Sequence, residues 1–169
     1  MTHVEAATSP AQLDAVRGLM RDFLRWHRER HVQDLARIER YFDAQAYEAE
    51  LAGLPGPYAP PRGRLLLATQ DDAPAGCVAL HEFDEPGVCE MKRMFVPPAL
   101  QGRGVGGALA HRLLEEARAI GYRAMRLDTS VRQAEAIALY RRLGFEPIEP
   151  YYELPPDLRD WLVFMELRL

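Results

Sequence analysis

The sequence predicts an α/β protein with a mixed, mostly antiparallel central sheet flanked by helices. Three observations lead there. Apolar residues recur at helical spacing through the first third of the chain. Short alternating runs bounded by turn residues come next. Beyond Pro97-Pro98 the pattern changes to helix, strand, helix and two last strands. A length of 169 residues suits one domain, 1–169, around a substantial core.

Residues 2–7 read as a first strand, and Thr8-Ser9-Pro10 supplies a cap and a proline for the helix after it. From Ala11 to about Arg30, Leu13, Val16, Leu19, Met20, Phe23 and Leu24 mark one helical face. A second amphipathic stretch runs from about Leu35 to Leu54. The run Leu54–Gly63, with four prolines, is neither helix nor interior strand and reads as a loop. Strands are expected at Arg64–Gln70, Gly76–Phe83 and Val88–Val96, with turns at Asp71–Pro74 and Asp84–Gly87. Val105–Ile120 is a helix closed by Gly121, Ala124–Thr129 a strand, and Gln133–Leu143 a helix closed by Gly144. Ser130 with Gln133 resembles a capping box. The last strands lie near Phe145–Tyr151 and Leu162–Leu169.

Composition narrows the function classes. Hydrophobic residues are 48% and charged residues 27%, as in a folded soluble protein. The net charge of -4 offers no general field for nucleic acid or an anionic membrane, and the basic residues between Arg17 and Arg40 are interleaved with acids. The N-terminus lacks the basic-then-apolar pattern of a signal peptide, no apolar run approaches a membrane span, and the expected compartment is the cytoplasm. Cys77 and Cys89 are then expected as reduced, buried thiols.

The chemistry concentrates at Gln101-Gly102-Arg103-Gly104-Val105-Gly106-Gly107, between a strand and a helix. Glycines let successive N–H groups converge, and the helix start adds its positive dipole end, which together suit a pyrophosphate. Gly102-x-Gly104-x-x-Gly107 also matches a dinucleotide fingerprint, with Asp128 at about the right distance. Against that reading, five residues intervene between Val96 and Gly102, and only one further helix lies beyond. No Lys-Ser or Lys-Thr comes after the glycines, so a Walker loop is excluded.

Gln101-x-x-Gly104-x-Gly106, after a strand ending Met94-Phe95-Val96, resembles the acetyl-CoA signature of the GNAT superfamily of N-acetyltransferases. Ala136-Ile137-Ala138-Leu139-Tyr140, with Gly144-Phe145 beyond it, resembles that family's second signature. The resemblance spans nearly the whole chain and implies the GNAT-like fold, acetyl-CoA as co-substrate, no metal, and a small-molecule or peptide amine as acceptor. It also makes a homodimer a common assembly. It assigns the cofactor to Met94, Phe95 and Val96 by strand-like pairing and to Gln101 through Gly107 at the pyrophosphate. Many members carry Asn where Gln133 stands; a longer amide can still hydrogen-bond the pantetheine arm, or serve only as a cap.

Acyl transfer to an amine needs a base for the amine, a donor for the developing oxygen charge and an acid for the leaving thiolate. The resemblance makes Tyr140 the acid; from spacing alone it reads first as a core tyrosine. Glu90, among Cys89, Met91, Met94 and Phe95, is the candidate base, where burial is expected to raise its pKa. The competing reading is a carboxylate paired with Lys92 or Arg93. A backbone N–H near Met94 or Phe95 would face the oxygen. Hairpin pairing through Glu85–Val88 would put His81 on one face with Glu90 and Lys92, and Cys77 opposite Cys89's face. Tyr58, Tyr151 and Tyr152 are candidates for the acceptor wall. The alternatives are a non-catalytic acyl-CoA-binding module and an interaction protein on the same fold.

Overall fold

The computed structural model describes residues 1–169. Strands β1 (Thr2–Ala6), β2 (Arg64–Gln70), β3 (Ala73–Glu82), β4 (Val88–Phe95), β5 (Ala124–Ser130), β6 (Glu146–Ile148) and β7 (Leu162–Arg168) form one sheet in the order β1-β2-β3-β4-β5-β7-β6. Every neighbouring pair is antiparallel except β4–β5. The helices are α1 (Pro10–Arg30), α2 (Leu35–Tyr41), α3 (Ala44–Ala52), α4 (Val105–Ile120), α5 (Ala134–Arg142) and α6 (Pro156–Arg159). None is long and apolar enough to cross a membrane.

Alternation along the strands separates two cores. Leu66, Val78, Leu80, Cys89, Met91, Met125 and Leu127 pack with Leu109, Leu113 and Tyr140, contributed by α4 and α5. Leu65, Leu67, Cys77, Ala79 and Phe95 point the other way, against Val16, Leu19, Met20, Tyr47 and Leu51 of α1 and α3. The two thiols therefore lie on opposite faces, and both are free.

The start of α1 conforms closely to the sequence. Ser9 accepts from the Gln12 N–H at 3.2 Å while the Gln12 side chain reaches back to the Ser9 N–H at 3.0 Å, a complete capping box before Pro10. The stretch expected as one helix from Leu35 to Leu54 is two. The chain leaves helical geometry at Phe42, and the Asp43 carboxylate accepts from the Ala46 N–H at 2.8 Å to start α3 afresh. The capping box expected of Ser130 and Gln133 does not form. Gln133 is itself the N-cap residue, without a side-chain cap, and the Ser130 hydroxyl accepts from the Arg132 N–H at 3.2 Å instead. The penultimate strand shrinks to Glu146–Ile148, and the residues after it bend into α6, an element the periodicity does not announce. β3 begins at Ala73, because Asp71 and Asp72 both take left-handed conformations and close a two-residue hairpin.

Two irregularities of β4 open the centre of the sheet. Its ladder with β3 steps from Ala79↔Lys92 to Cys77↔Phe95, so one extra residue is accommodated on β4, and Arg93 lies there at φ +60°. Its parallel ladder with β5 covers Val88–Glu90 against Ala124–Arg126 and then ends. From Met91 onward the β5-facing edge of β4 has no strand partner, and the sheet is split along its middle.

Candidate active site

The split is filled by a chain of three adjoining cavities. The outermost on one side is a cleft of roughly 540 Å³ lined by Met94–Val96, Gln101, Gly102, Gly104–Gly107 and the exposed side of α5. The middle cavity lies between the separated strands, lined by Met91–Met94 of β4, Leu127–Ser130 of β5 and Tyr140. The two share Phe23, Met94, Gln133 and Ala136. On the far side a third cleft opens between α2, α3 and the segment before α6, sharing Tyr41, Phe42, Lys92 and Arg93 with the middle one. A ligand entering from each side would meet in the centre.

The glycine turn forms one wall of the first cleft. Gly102 and Gly104 have φ of +77° and +83°, values that L side chains rarely adopt. Gly104 is the N-cap of α4, which has no side-chain cap and no acidic residue in its first turn, so the N–H groups there remain available. Gly106 serves a different need. A Cβ there would come 3.3 Å from Leu139 and 3.7 Å from Val96, closing the groove between turn and α5. The Gln101 side chain donates to the Val96 carbonyl at 3.1 Å and ties the turn to the end of β4. Arg103 is exposed and is not among the cleft-lining residues. The cradle of free N–H groups and the glycine-kept groove fit a pyrophosphate with a slender arm behind it.

Tyr140 projects from α5 into the middle cavity, 5% exposed. Burial, and then the charge of Asp128, push its phenol well above the usual tyrosine range, and no hydrogen bond contributes. A protonated phenol there can donate to a group entering the cavity. Gln133 faces both the first cleft and the middle one, and its amide lies 3.4 Å from Nδ1 of buried His27.

Glu90 is 4% exposed and sits on the last paired rung of β4, behind the cavity lining. Its carboxylate contacts His81 Nε2 at 2.8 Å, the Tyr151 hydroxyl at 2.5 Å and Lys92 Nζ at 3.5 Å. The expectation of a raised pKa is corrected here. Burial does oppose its charge and is the largest single influence, but the His81 hydrogen bond, Lys92 and Tyr151 together outweigh it. The carboxyl is held below its ordinary value. His81 is the direct cross-strand partner of Glu90, as the hairpin pairing requires. Lys92 is the partner among the two cations considered, since Arg93 is held by Glu50 at 2.7 and 2.9 Å.

Sequence reasoning misses a second carboxylate at the site. Asp128 lines the middle cavity and accepts the Tyr41 hydroxyl at 2.7 Å and the Tyr152 hydroxyl, both on Oδ2. Its place on the face opposite Leu127 is legible from alternation, but its tyrosine partners come from 87 and 24 residues away. Tyr58, by contrast, is 2% exposed and packs edge-on to His81 rather than forming an open wall.

Residues 20–145 match the family model described as the acetyltransferase (GNAT) family. An uncharacterized N-acetyltransferase of Schizosaccharomyces pombe is 35% identical over 168 residues, covering 98% of this chain and 94% of that protein. An IAA acetyltransferase of Azospirillum brasilense is 39% identical over 128 residues, 75% of this chain and 83% of that one. Among solved structures, the PaiA N-acetyltransferase of Thermoplasma acidophilum in complex with coenzyme A superposes with a TM-score of 0.73 at 14% identity. It covers 100% of this chain and 99% of that chain. At that identity the likeness is one of fold.

Proposed function

Because this chain belongs to the acetyltransferase (GNAT) family and is an N-acetyltransferase, we propose that it transfers acetyl from acetyl-CoA to a primary amine by direct attack within the split between β4 and β5. The observation that carries the reading is the continuity of the three cavities, with Tyr140 lining the middle one. The whole chain acts as one catalytic domain.

The residues divide the work by position. Gly102, Gly104, Val105, Gly106 and Gly107 hold the pyrophosphate with the N-terminal end of α4, beside Gln101 and Arg103. Met94, Phe95 and Val96 offer main-chain groups along the unpaired edge of β4, and Gln133 holds the arm where the first cleft meets the second. Acetyl-CoA supplies an acetyl group activated as a thioester. A β4 N–H at Met94 or Phe95 faces the oxygen that gains charge. Tyr140 gives its hydroxyl proton to the leaving sulfur, and the amine proton passes through water to Glu90, whose carboxylate is kept ionised by His81, Lys92 and Tyr151.

CoA release from acetyl-CoA, assayed over a panel of primary amines, tests the reading. Wild-type enzyme is expected to turn over at least one amine, and Tyr140→Phe to retain acetyl-CoA affinity while kcat falls by about 10²-fold or more. Undetectable turnover by wild type with every amine would instead favour a binding module. Unchanged turnover in Tyr140→Phe would remove the acid role.

A further inference from the structure

The charges along the acceptor path are unequal in a way that selects a ligand. Each Lys and Arg lining the middle cavity and the far cleft between α2 and α3 already has an acidic partner. Lys92 meets Glu90 at 3.5 Å, Arg93 meets Glu50 at 2.7 Å, and Arg40 meets Asp157 at 2.8 Å. The anions are not balanced in return. Asp128 forms no ion pair; its two protein partners are neutral phenols, Tyr41 and Tyr152, and both donate to the same oxygen, Oδ2. Oδ1 is left without a protein donor in a cavity whose walls include Phe23, Phe42 and Trp161. Oδ1 of this half-buried carboxylate is the charged acceptor that faces whatever enters the middle cavity, and a cation is the partner that would complete it most strongly. The rings add to the same preference, because a cation near an aromatic face is attracted to it.

Resting on the acyl-transfer reading above, we infer that Asp128 is the ammonium-binding residue of the acceptor site, and that the acceptor is a cationic amine without a carboxylate. Its ammonium group meets Oδ1 of Asp128 in the middle cavity, opposite Tyr140, while its body lies toward Tyr41 and Phe42 in the outer cleft. A zwitterionic amino acid would have to place its carboxylate in a path where Lys92, Arg93 and Arg40 are already paired and Asp128 repels it.

Three ligands of one body separate charge from shape: 2-phenylethylamine, phenylalaninamide and phenylalanine. Each is titrated calorimetrically into the enzyme saturated with CoA, at a pH of about 6.5 where all three amines are protonated. The two carboxylate-free cations are expected to bind at least about tenfold more tightly than phenylalanine. Asp128→Asn keeps the shape and both tyrosine contacts; it is expected to lose about tenfold or more in affinity for the two cations and nothing for CoA. In turnover, that loss is expected in KM more than in kcat. Phenylalanine binding as tightly as its amide overturns the inference on wild-type enzyme alone. So does failure of all three to bind, or full retention of cation affinity in Asp128→Asn. Because the titrations do not depend on turnover, they are separable from the acyl-transfer reading: an enzyme that releases CoA preferentially with phenylalanine would keep the reaction and lose the cation selectivity.

Discussion

Nε2 of His81 lies 2.8 Å from Oε1 of Glu90, its cross-strand partner, at the last rung before β4 separates from β5. The contact places a buried carboxylate in a polar network immediately behind the cavity. It also lowers the Glu90 pKa, together with Lys92 and Tyr151 and against the effect of burial. A group with a depressed folded pKa stabilises the fold above its unfolded value, near 4.5, and loses that contribution as pH falls through the folded value. Thermal melts below about pH 4.5 should therefore show wild type losing stability more steeply than Glu90→Gln. If Glu90 is the base, Glu90→Gln should also lower kcat by about 10²-fold, with acetyl-CoA affinity unchanged. A Glu90→Gln enzyme as active as wild type at every pH would remove Glu90 from the reaction.

His27 predicts a second pH dependence, of opposite origin. It is 1% exposed, stacked on Trp161 and edge-on to His31, and burial followed by the His31 charge lowers its pKa to about 4. Asp34 opposes the shift, while Arg30 adds to it. The folded value lies below the unfolded one, so protonation favours the unfolded chain. Stability should fall as pH drops from about 6.5 to about 4, by an amount on the order of 3 kcal/mol from this residue. His31, lowered in the same direction, contributes as well. Urea titrations at a series of pH values should show a shallower decline in His27→Phe than in wild type.

Gly104 and Gly106 should respond differently to substitution. Gly104 has open space around a Cβ but a φ of +83°, so Gly104→Ala should destabilise through backbone strain by about 1–2 kcal/mol. Gly106 has no such φ, yet its Cβ would approach Leu139 and Val96 inside the cleft. Gly106→Val should leave Tm near wild type and weaken CoA binding by roughly tenfold or more, measured by calorimetry.

The thiols provide a test of the fold itself. Cys77 and Cys89 are fully buried on opposite faces of the sheet, and burial pushes both up to about 12. Neither should react with an alkylating reagent in the native protein at neutral pH, whereas both should react in denaturant, read as two mass additions. Rapid labelling of the native protein would contradict their placement.

Local information accounts for much of what is legible in the sequence. The Ser9-Pro10 start of α1, the Gly121 end of α4 and the strand alternation from Arg64 to Phe95 depend on neighbouring residues, so they can be read from spacing. The same holds for the His81–Glu90 pairing, which needs only the hairpin's loop length. The break at Asp43 escapes spacing because the apolar period carries on across it; the cap that divides the helices is a single hydrogen bond to the Ala46 N–H. The pKa direction of Glu90 escapes it for another reason. Burial alone is visible in the apolar flanks, while Tyr151, the partner that helps reverse it, comes from 61 residues away.

By itself, then, the sequence determined a glycine turn with positive-φ residues between a strand and a helix, and a tyrosine at a set place in a later helix. Backbone sterics and periodicity dictate both locally. Only the tertiary structure decided that β4 and β5 part after Glu90 and Arg126, and that Tyr140 and Asp128 face one cavity through the gap. It also decided that every cation on the acceptor side has an acidic partner while Asp128 has no cationic one. Those relations join residues distant in the chain. They exist only once the sheet has closed on one side of the gap and the helices have packed across both of its faces.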